Sequence, residues 1–298
     1  MVTPHPGPRP HVGGTDLEEV TAAVRRRSVP LTLTMCAVDV DGGDSTGHDD
    51  GVVVPVASAA KLLLLAEVAR RLETGELGAD EPVPLTAEDT VHGTGLIHRL
   101  SGQVWTVGDL CWLTASVSDN TATNALLRLV GRTATSALAE RLGAGGLVIH
   151  DRVRDERGTS QRPEVPPLFA TGTARDLAAI VAHAARDTLH SPGTSGRLLR
   201  WMYANTDHTL VPALLAHDPY APGFPTPPPG GLLVANKTGT DPGVRADAGL
   251  LLGARRVAYA VVAHWDTALG PEAERAAVHA IREVGQALGA LALRPAGR

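Results

Sequence analysis

The chain's strongest pattern is an apolar run over 61–75, KLLLLAEVARRLETG, where leucine, alanine and valine fill most positions before arginines and a glycine close it. Such a run predicts a helix buried on most of its faces and stopped at Gly75. Two stretches before it read as strands. PLTLTMCAVDVD (30–41) alternates and is rich in β-formers, and GVVVPVA (51–57) is short and apolar. Further upstream, DLEEVTAAVRRR (16–27) has an Asp cap, acids in its first turn and arginines in its last, which predicts a helix.

After Gly75 the period changes to that of amphipathic helices, over 106–118, 121–131, 135–143, 173–187 and 196–205, joined by loops of Gly, Pro and charged residues. A proline-rich segment, DPYAPGFPTPPPGG (218–231), separates this block from GLLVANKTGT (231–240). ADAGLLLGARRVAYAVVAHW (246–265) then reads as a β-hairpin with GARR as its turn, and 271–293 as a closing helix. The order is helix, two strands, a long helical insertion, three strands, helix. That order implies an α/β fold with one sheet built from both ends of the chain and helices over it. The reading is of a single domain over 15–298, its α/β part from about 15–57 and 225–298 and its helical part from about 58–224. The Pro, His and Gly-rich residues 1–14 form a disordered tail.

Composition narrows the function. At 298 residues and 43% hydrophobic content the chain can bury a sizeable core. The 27 basic and 32 acidic residues leave a formal charge of −5 without long runs of either sign, so neither nucleic acid nor a membrane surface is expected as partner. Cys36 and Cys111 lie in apolar runs and read as core residues. The 12 histidines show no HExxH or paired ligand spacing, so no metal and no cofactor is expected; His92 and His98 flank a glycine turn and read as polar loop residues. The first residues lack the apolar stretch of an export signal, which, with Met1 as the native start, places the protein in the cytoplasm.

Ser58 and Lys61 stand three apart at the mouth of the apolar helix, close enough to share a face. A serine in the first turn has free backbone N–H groups beside its oxygen, suited to an oxyanion. A lysine there faces desolvation, which favours the neutral amine that can take the serine's proton. An S-x-x-K tetrad occurs by chance roughly once in a chain of this length, and alone it reads equally as a helix cap beside a lysine. Two further stretches change that: VSDNTATN (117–124), with Ser118, Asp119 and Asn120 at a break between helices, and NKTGT (236–240), at the end of an apolar strand.

Together these triplets match the S-x-x-K, S-D-N and K-T-G set, and the sequence resembles the class A β-lactamase family within the wider group that includes penicillin-binding proteins. The likeness extends through TVGDLCWLTASVSDNTATNALLRLVG and covers most of residues 15–290. It implies a β-lactamase/transpeptidase-like fold, with an antiparallel five-stranded sheet flanked by helices and an all-helical subdomain. It makes Ser58 the acylated nucleophile, Lys61 its general base or proton relay, and Ser118 the group that passes the proton to the leaving nitrogen. Asn120 would hold the substrate's amide side chain and Lys61, and Asp119 would brace the loop. Lys237 and Thr238 would bind a substrate carboxylate, Gly239 would leave room for the substrate, and the N–H groups of Ser58 and Thr240 would form the oxyanion hole. Arg245 is a candidate second carboxylate anchor, although it stands about one residue nearer the lysine than in the family.

One departure bears on turnover. That family carries a deacylating glutamate in a D-R-W-E-P-E-L-N-like stretch, and the corresponding segment here is IHDRVRDERGTSQRPEVPP, 149–167. Aligning Asp151 and Arg152 with its D-R pair puts Arg154 at the glutamate's place. Asp155, Glu156 and Glu164 are then the candidate substitutes, with solvated surface charges as the competing reading. The resemblance therefore implies a serine hydrolase that cleaves an amide, a β-lactam or related, in a small molecule with a carboxylate. A penicillin-binding, acyl-transferring or sensor protein that deacylates poorly is the alternative. Trp105, Trp112 and Phe169 are the aromatics placed nearest the cleft, with core packing as their other reading.

Overall fold

The computed structural model describes Ala22 and residues 30–156, 167–219 and 224–295. The tail over 1–14 and the helix over 16–27, its helical Ala22 excepted, lie outside the described residues.

Strands β1 (Thr32–Asp39) and β2 (Ser45–His48) form a hairpin, and β3 (Val54–Pro55) leads into a 3-10 turn, Ala57–Ala60, that runs directly into helix α1 (Lys61–Thr74). A short strand pair, β4 (Pro82–Pro84) and β5 (Val104–Thr106), precedes helices α2 (Val107–Ser116), α3 (Asn120–Val130) and α4 (Arg132–Arg141). After β6 (Val148–Ile149) and β7 (Ala170–Gly172) come α5 (Ala174–Ala185) and α6 (Pro192–Tyr203). Three nine-residue strands, β8 (Leu233–Asp241), β9 (Val244–Leu252) and β10 (Arg256–His264), and a 23-residue helix α7 (Pro271–Leu293) complete the chain.

The main sheet is antiparallel with order β2-β1-β10-β9-β8, so strands from both ends of the chain meet in its middle and β8 lies at one edge. This is the antiparallel five-stranded sheet that the resemblance implies. Both faces of the sheet are covered. Alternation along β10 sends Val257, Tyr259, Val261 and Ala263 into the core under α7, and Ala258, Ala260 and Val262 into the larger core against α5 and the helical part. Helix α1 is buried along its first nine residues, Lys61 to Ala69, as its pattern predicts. Each of its four consecutive leucines contributes about 1.5–3 kcal/mol on burial.

Local signals explain the helix ends. Thr106 with Asp109, and Thr173 with Asp176, make reciprocal capping boxes, and Gly75, with φ 75°, ends α1 in the left-handed region. One expectation is corrected. The stretch 51–57 does not supply the second strand of the main sheet; only Val54–Pro55 is strand, paired with β7 in a separate three-stranded sheet. The edge strand β2, STGH, is half-exposed and carries no apolar alternation, so the pattern does not reveal it.

Candidate active site

Four elements converge on Ser58. The 3-10 turn carries the serine itself, α1 supplies Lys61, the link between α2 and α3 supplies Ser118, with Asn120 the first residue of α3, and β8 supplies Lys237 to Thr240. Lys61 is fully buried, and its Nζ donates to the Ser118 carbonyl at 2.7 Å, to Ser118 Oγ at 3.2 Å and to Asn120 Oδ1 at 2.8 Å. One lysine thus ties the first two motifs together. Ser58 and Ser118 line a common cavity of about 250 Å³ with Thr238 and Thr240.

The link holding Ser118 is built by Asp119. Its buried carboxylate accepts from the N–H groups of Leu96 at 2.6 Å, Ile97 at 2.9 Å and Ala122 at 2.9 Å, capping α3 and fastening the 96–97 loop at once. This is the bracing role expected of it. Gly95 has φ 117°, and a Cβ there would stand 2.4 Å from the Asp119 carboxylate. Ala57 and Ser118 have φ of 46° and 55°, a left-handed conformation that costs residues with a Cβ roughly 1 kcal/mol or more. Surrounding contacts hold both, Ser118 through the Lys61 bond to its carbonyl.

Strand β8 presses its backbone against the Ser58 turn. A Cβ on Gly239 would meet the Val56 carbonyl oxygen at 2.4 Å, Ala59 N at 2.8 Å and Ser58 N at 3.1 Å, so only glycine fits there. Because β8 is an edge strand, alternate N–H groups along it lack a strand partner on the side facing the turn.

Lys237 is fully buried, its Nζ donating to the Thr238 carbonyl at 2.9 Å, and burial lowers its pKa from 10.5 to about 8 against the opposing pull of Asp207 and Asp247. Behind the strand, Asp247 accepts from Asn236 Nδ2 at 3.0 Å, Tyr259 OH at 3.1 Å and Val211 N at 3.0 Å. Its burial pushes its carboxyl up to about 7.

Arg245, the candidate second carboxylate anchor, is engaged away from Ser58. Its guanidinium pairs with Glu274 of α7, donates to the carbonyls of Asp241 (3.1 Å) and Val244 (2.7 Å) and lies 5.7 Å from the Trp265 ring centre. It borders neither cavity that Ser58 lines. The partner that redirects it comes from the closing helix, which spacing along β9 does not reveal.

On the other side of Ser58 a cavity of about 330 Å³ is bordered by His92, Asn120, Arg154, Asp155 and Phe169. Asn124 clamps Val153 through both its N–H (2.8 Å) and its carbonyl (2.9 Å), which fixes the following residue, Arg154, at the wall. Arg154 is ion-paired to Asp151. Among the expected carboxylates, Asp155 reaches this cavity while Glu156 does not border it, and Glu164 lies outside the described residues. Asp155 accepts from the His92 N–H at 2.8 Å and holds His92 Nδ1 at 2.9 Å, and the His92 contacts lower its pKa. Phe169 both packs in the core and lines the cavity; Trp105 packs against the core and Trp112 is exposed.

Two residues escape the sequence reading as site residues. His92 was a polar loop residue in that reading, and its Nδ1 partner 63 positions away becomes apparent only in the fold. Asp207, in the loop after α6, belongs to no motif, yet its Oδ2 accepts from Thr238 Oγ1 at 2.7 Å.

A family model described as the beta-lactamase enzyme family matches residues 17–291. Beta-lactamase L2 of Stenotrophomonas maltophilia is 31% identical over 172 residues, 57% of this chain and 52% of that protein. The beta-lactamase regulatory protein BlaB of Streptomyces cacaoi is 29% identical over 169 residues, 56% of this chain and 50% of that one. The aligned region thus spans about half the length of these two relatives. The crystal structure of a beta-lactamase from Sphaerobacter thermophilus is similar with a TM-score of 0.77 and 26% identity, covering 94% of this chain and 99% of that one.

Proposed function

We propose that this chain, which belongs to the β-lactamase enzyme family, is a serine hydrolase that opens an amide, a β-lactam or a related one, through an acyl-enzyme on Ser58. The observation that carries the reading is the buried Lys61 ammonium bridging Ser118 and Asn120 at the cavity that Ser58 lines. In the acylation step Ser58 Oγ bonds to the carbonyl carbon and its proton passes to Lys61, which acts as base in its deprotonated form. The developing oxyanion is held by the N–H groups of Ser58 and Thr240. As the C–N bond breaks, Ser118 gives its hydroxyl proton to the leaving nitrogen and recovers one from Lys61. Asn120 orients the substrate, and Lys237 and Thr238 shape the end of the site along β8.

Release of the acyl group needs a base for water, and Arg154 stands where the family's glutamate is expected. The pair that takes over is His92 with Asp155: the carboxylate holds Nδ1, which leaves Nε2 to accept a proton from water. A second reading has the protein acylate and keep the acyl group, as an acyl-transferring or sensing protein. Arg154, paired to Asp151, favours it, because it borders the cavity where the family's water-activating carboxylate is expected and is itself no base. A cytoplasmic location belongs to the proposal as well, supported by Cys36 and Cys111 being buried free thiols. Among the described residues no helix is long and apolar enough to cross a membrane.

The test is intact-protein mass spectrometry of the wild type and Ser58→Ala with β-lactams, both as free acids and with the carboxylate blocked. A Ser58-dependent adduct that decays within minutes supports hydrolysis, and one that persists for hours supports the second reading. No adduct with any of them overturns the proposal.

A further inference from the structure

The loop after α6 forms one wall of the cavity that Ser58 shares with Ser118 and Thr238, through Asn205, Thr206 and Asp207. It ties the two sides of the site together. Thr206 donates its N–H (2.9 Å) and its hydroxyl (3.0 Å) to the Ser116 carbonyl at the end of α2, while Asp207 Oδ2 accepts from Thr238 Oγ1 of β8 at 2.7 Å. Asn205 Nδ2 donates to Asn236 Oδ1 of the same strand at 2.8 Å.

The next residue, His208, is fastened by a second imidazole. His217 Nε2 lies 2.8 Å from His208 Nδ1, and His217 Nδ1 lies 3.1 Å from the Leu215 carbonyl oxygen. His217 also bridges to Leu232, the residue before β8. A carbonyl only accepts, so neutral His217 carries its hydrogen on Nδ1, its Nε2 accepts, and His208 donates from Nδ1. His208 Nε2 is then a bare lone pair, and this atom is buried with no hydrogen-bond partner. Burial and His217 hold the His208 pKa below the ordinary imidazole value, against the pull of the Asn205 backbone and Asp207. The other charged groups around the loop are Lys237 on β8, Asp247 on β9, Asp218 beside His217, and Arg282 of α7, which donates to the Thr209 carbonyl at 2.8 Å. None of them hydrogen-bonds His208 Nε2. A proton on that atom would be a buried N–H without an acceptor, and one on His217 Nε2 would face the His208 N–H and break the bond.

We infer that His208 and His217 are positioning residues that hold this wall closed while both are neutral, and that proton uptake by the pair loosens the loop and slows acylation of Ser58. The loosening stands on the geometry of the two imidazoles; its effect on acylation rests on the acyl-enzyme reading. The closed pair binds fewer protons than separated imidazoles, so its hold is complete above the ordinary imidazole value of about 6.5 and is lost as pH falls through the lowered value.

The test compares the wild type with His208→Ala, which cannot make the bond, and with the double variant His208→Asn with His217→Gln, whose amides make an equivalent bond without titrating. Amide hydrogen exchange over 205–217 and the rate of Ser58 adduct formation with a penicillin are measured at about pH 7.5 and about pH 5.5. Comparison with the double variant at the same pH removes the effects of intrinsic exchange chemistry and of Lys61 protonation. At the higher pH the two proteins are expected to agree within about three-fold in both measurements. At the lower pH the wild-type loop should exchange at least about 10-fold faster, and Ser58 react at least about 10-fold slower, than in the double variant. His208→Ala should show the faster exchange at both pH values. Wild type and double variant that exchange alike at both pH values overturn the inference, and faster exchange with an unchanged adduct rate overturns its link to Ser58. No adduct on any of the three proteins overturns the acyl-enzyme reading, while the exchange rates still decide whether the imidazole pair holds the loop.

Discussion

A methyl group on Gly239 would stand 2.4 Å from the carbonyl oxygen of Val56, because β8 runs backbone to backbone against the turn that carries Ser58. Neither side of that contact is a flexible side chain, so a larger residue must move the strand or the turn. Gly239→Ala is expected to lower the rate of Ser58 acylation about 100-fold while costing about 1–3 kcal/mol in stability. Stopped acylation time courses and urea unfolding read the two effects separately, and an unchanged acylation rate would show that the close approach is not needed.

Asp119 makes its contribution through folding of the link rather than by touching substrate. Asp119→Ala removes the acceptor of three backbone N–H groups, two of them on the 96–97 loop. A loss of about 3–5 kcal/mol in urea unfolding follows if each orphaned donor costs 1 kcal/mol or more. Acylation should fall with it, since Ser118 and Asn120 flank the residue.

In the proposed mechanism the two halves of the reaction separate at His92. His92→Ala is expected to lengthen the lifetime of the Ser58 adduct at least about 10-fold, with the acylation rate within about three-fold of wild type. Asp155→Asn should lengthen it by a smaller factor, because the imidazole remains but loses the carboxylate on Nδ1. An adduct lifetime untouched by either change would assign water activation to another group.

Lys237 gives stability a pH dependence with a definite sign. Burial sets its folded pKa at about 8, below the unfolded 10.5, so between those values the folded chain holds fewer protons than the unfolded one. Its contribution to stability therefore rises with pH across that window and is flat below pH 8. Lys237→Met removes the rise, and urea midpoints of the two proteins at pH 7, about 8.5 and about 10 measure it.

Much of this site was legible in the sequence because its motifs sit where local pattern changes. Ser58 and Lys61 open an apolar helix, Ser118 to Asn120 interrupt two helical periods, and Lys237 to Thr240 end an apolar strand. The closing hairpin and helix follow from alternation and from a period that runs unbroken over 271–293. What escaped were relationships set by long-range packing. Strand β2 is too polar to announce itself, the Arg245 guanidinium follows a glutamate 29 residues on, and Asp207 meets Thr238 across 31 positions. Arg154, by contrast, was legible as a missing carboxylate, since its place in the segment could be counted from Asp151.

The most direct measurement is peptide-level mass spectrometry of the protein quenched seconds after mixing with a β-lactam. The account predicts one acyl group, on the peptide containing Ser58, formed in wild type, absent in Ser58→Ala and strongly reduced in Lys61→Ala. Labelling that is absent from wild type, or that survives the loss of Ser58, would contradict it.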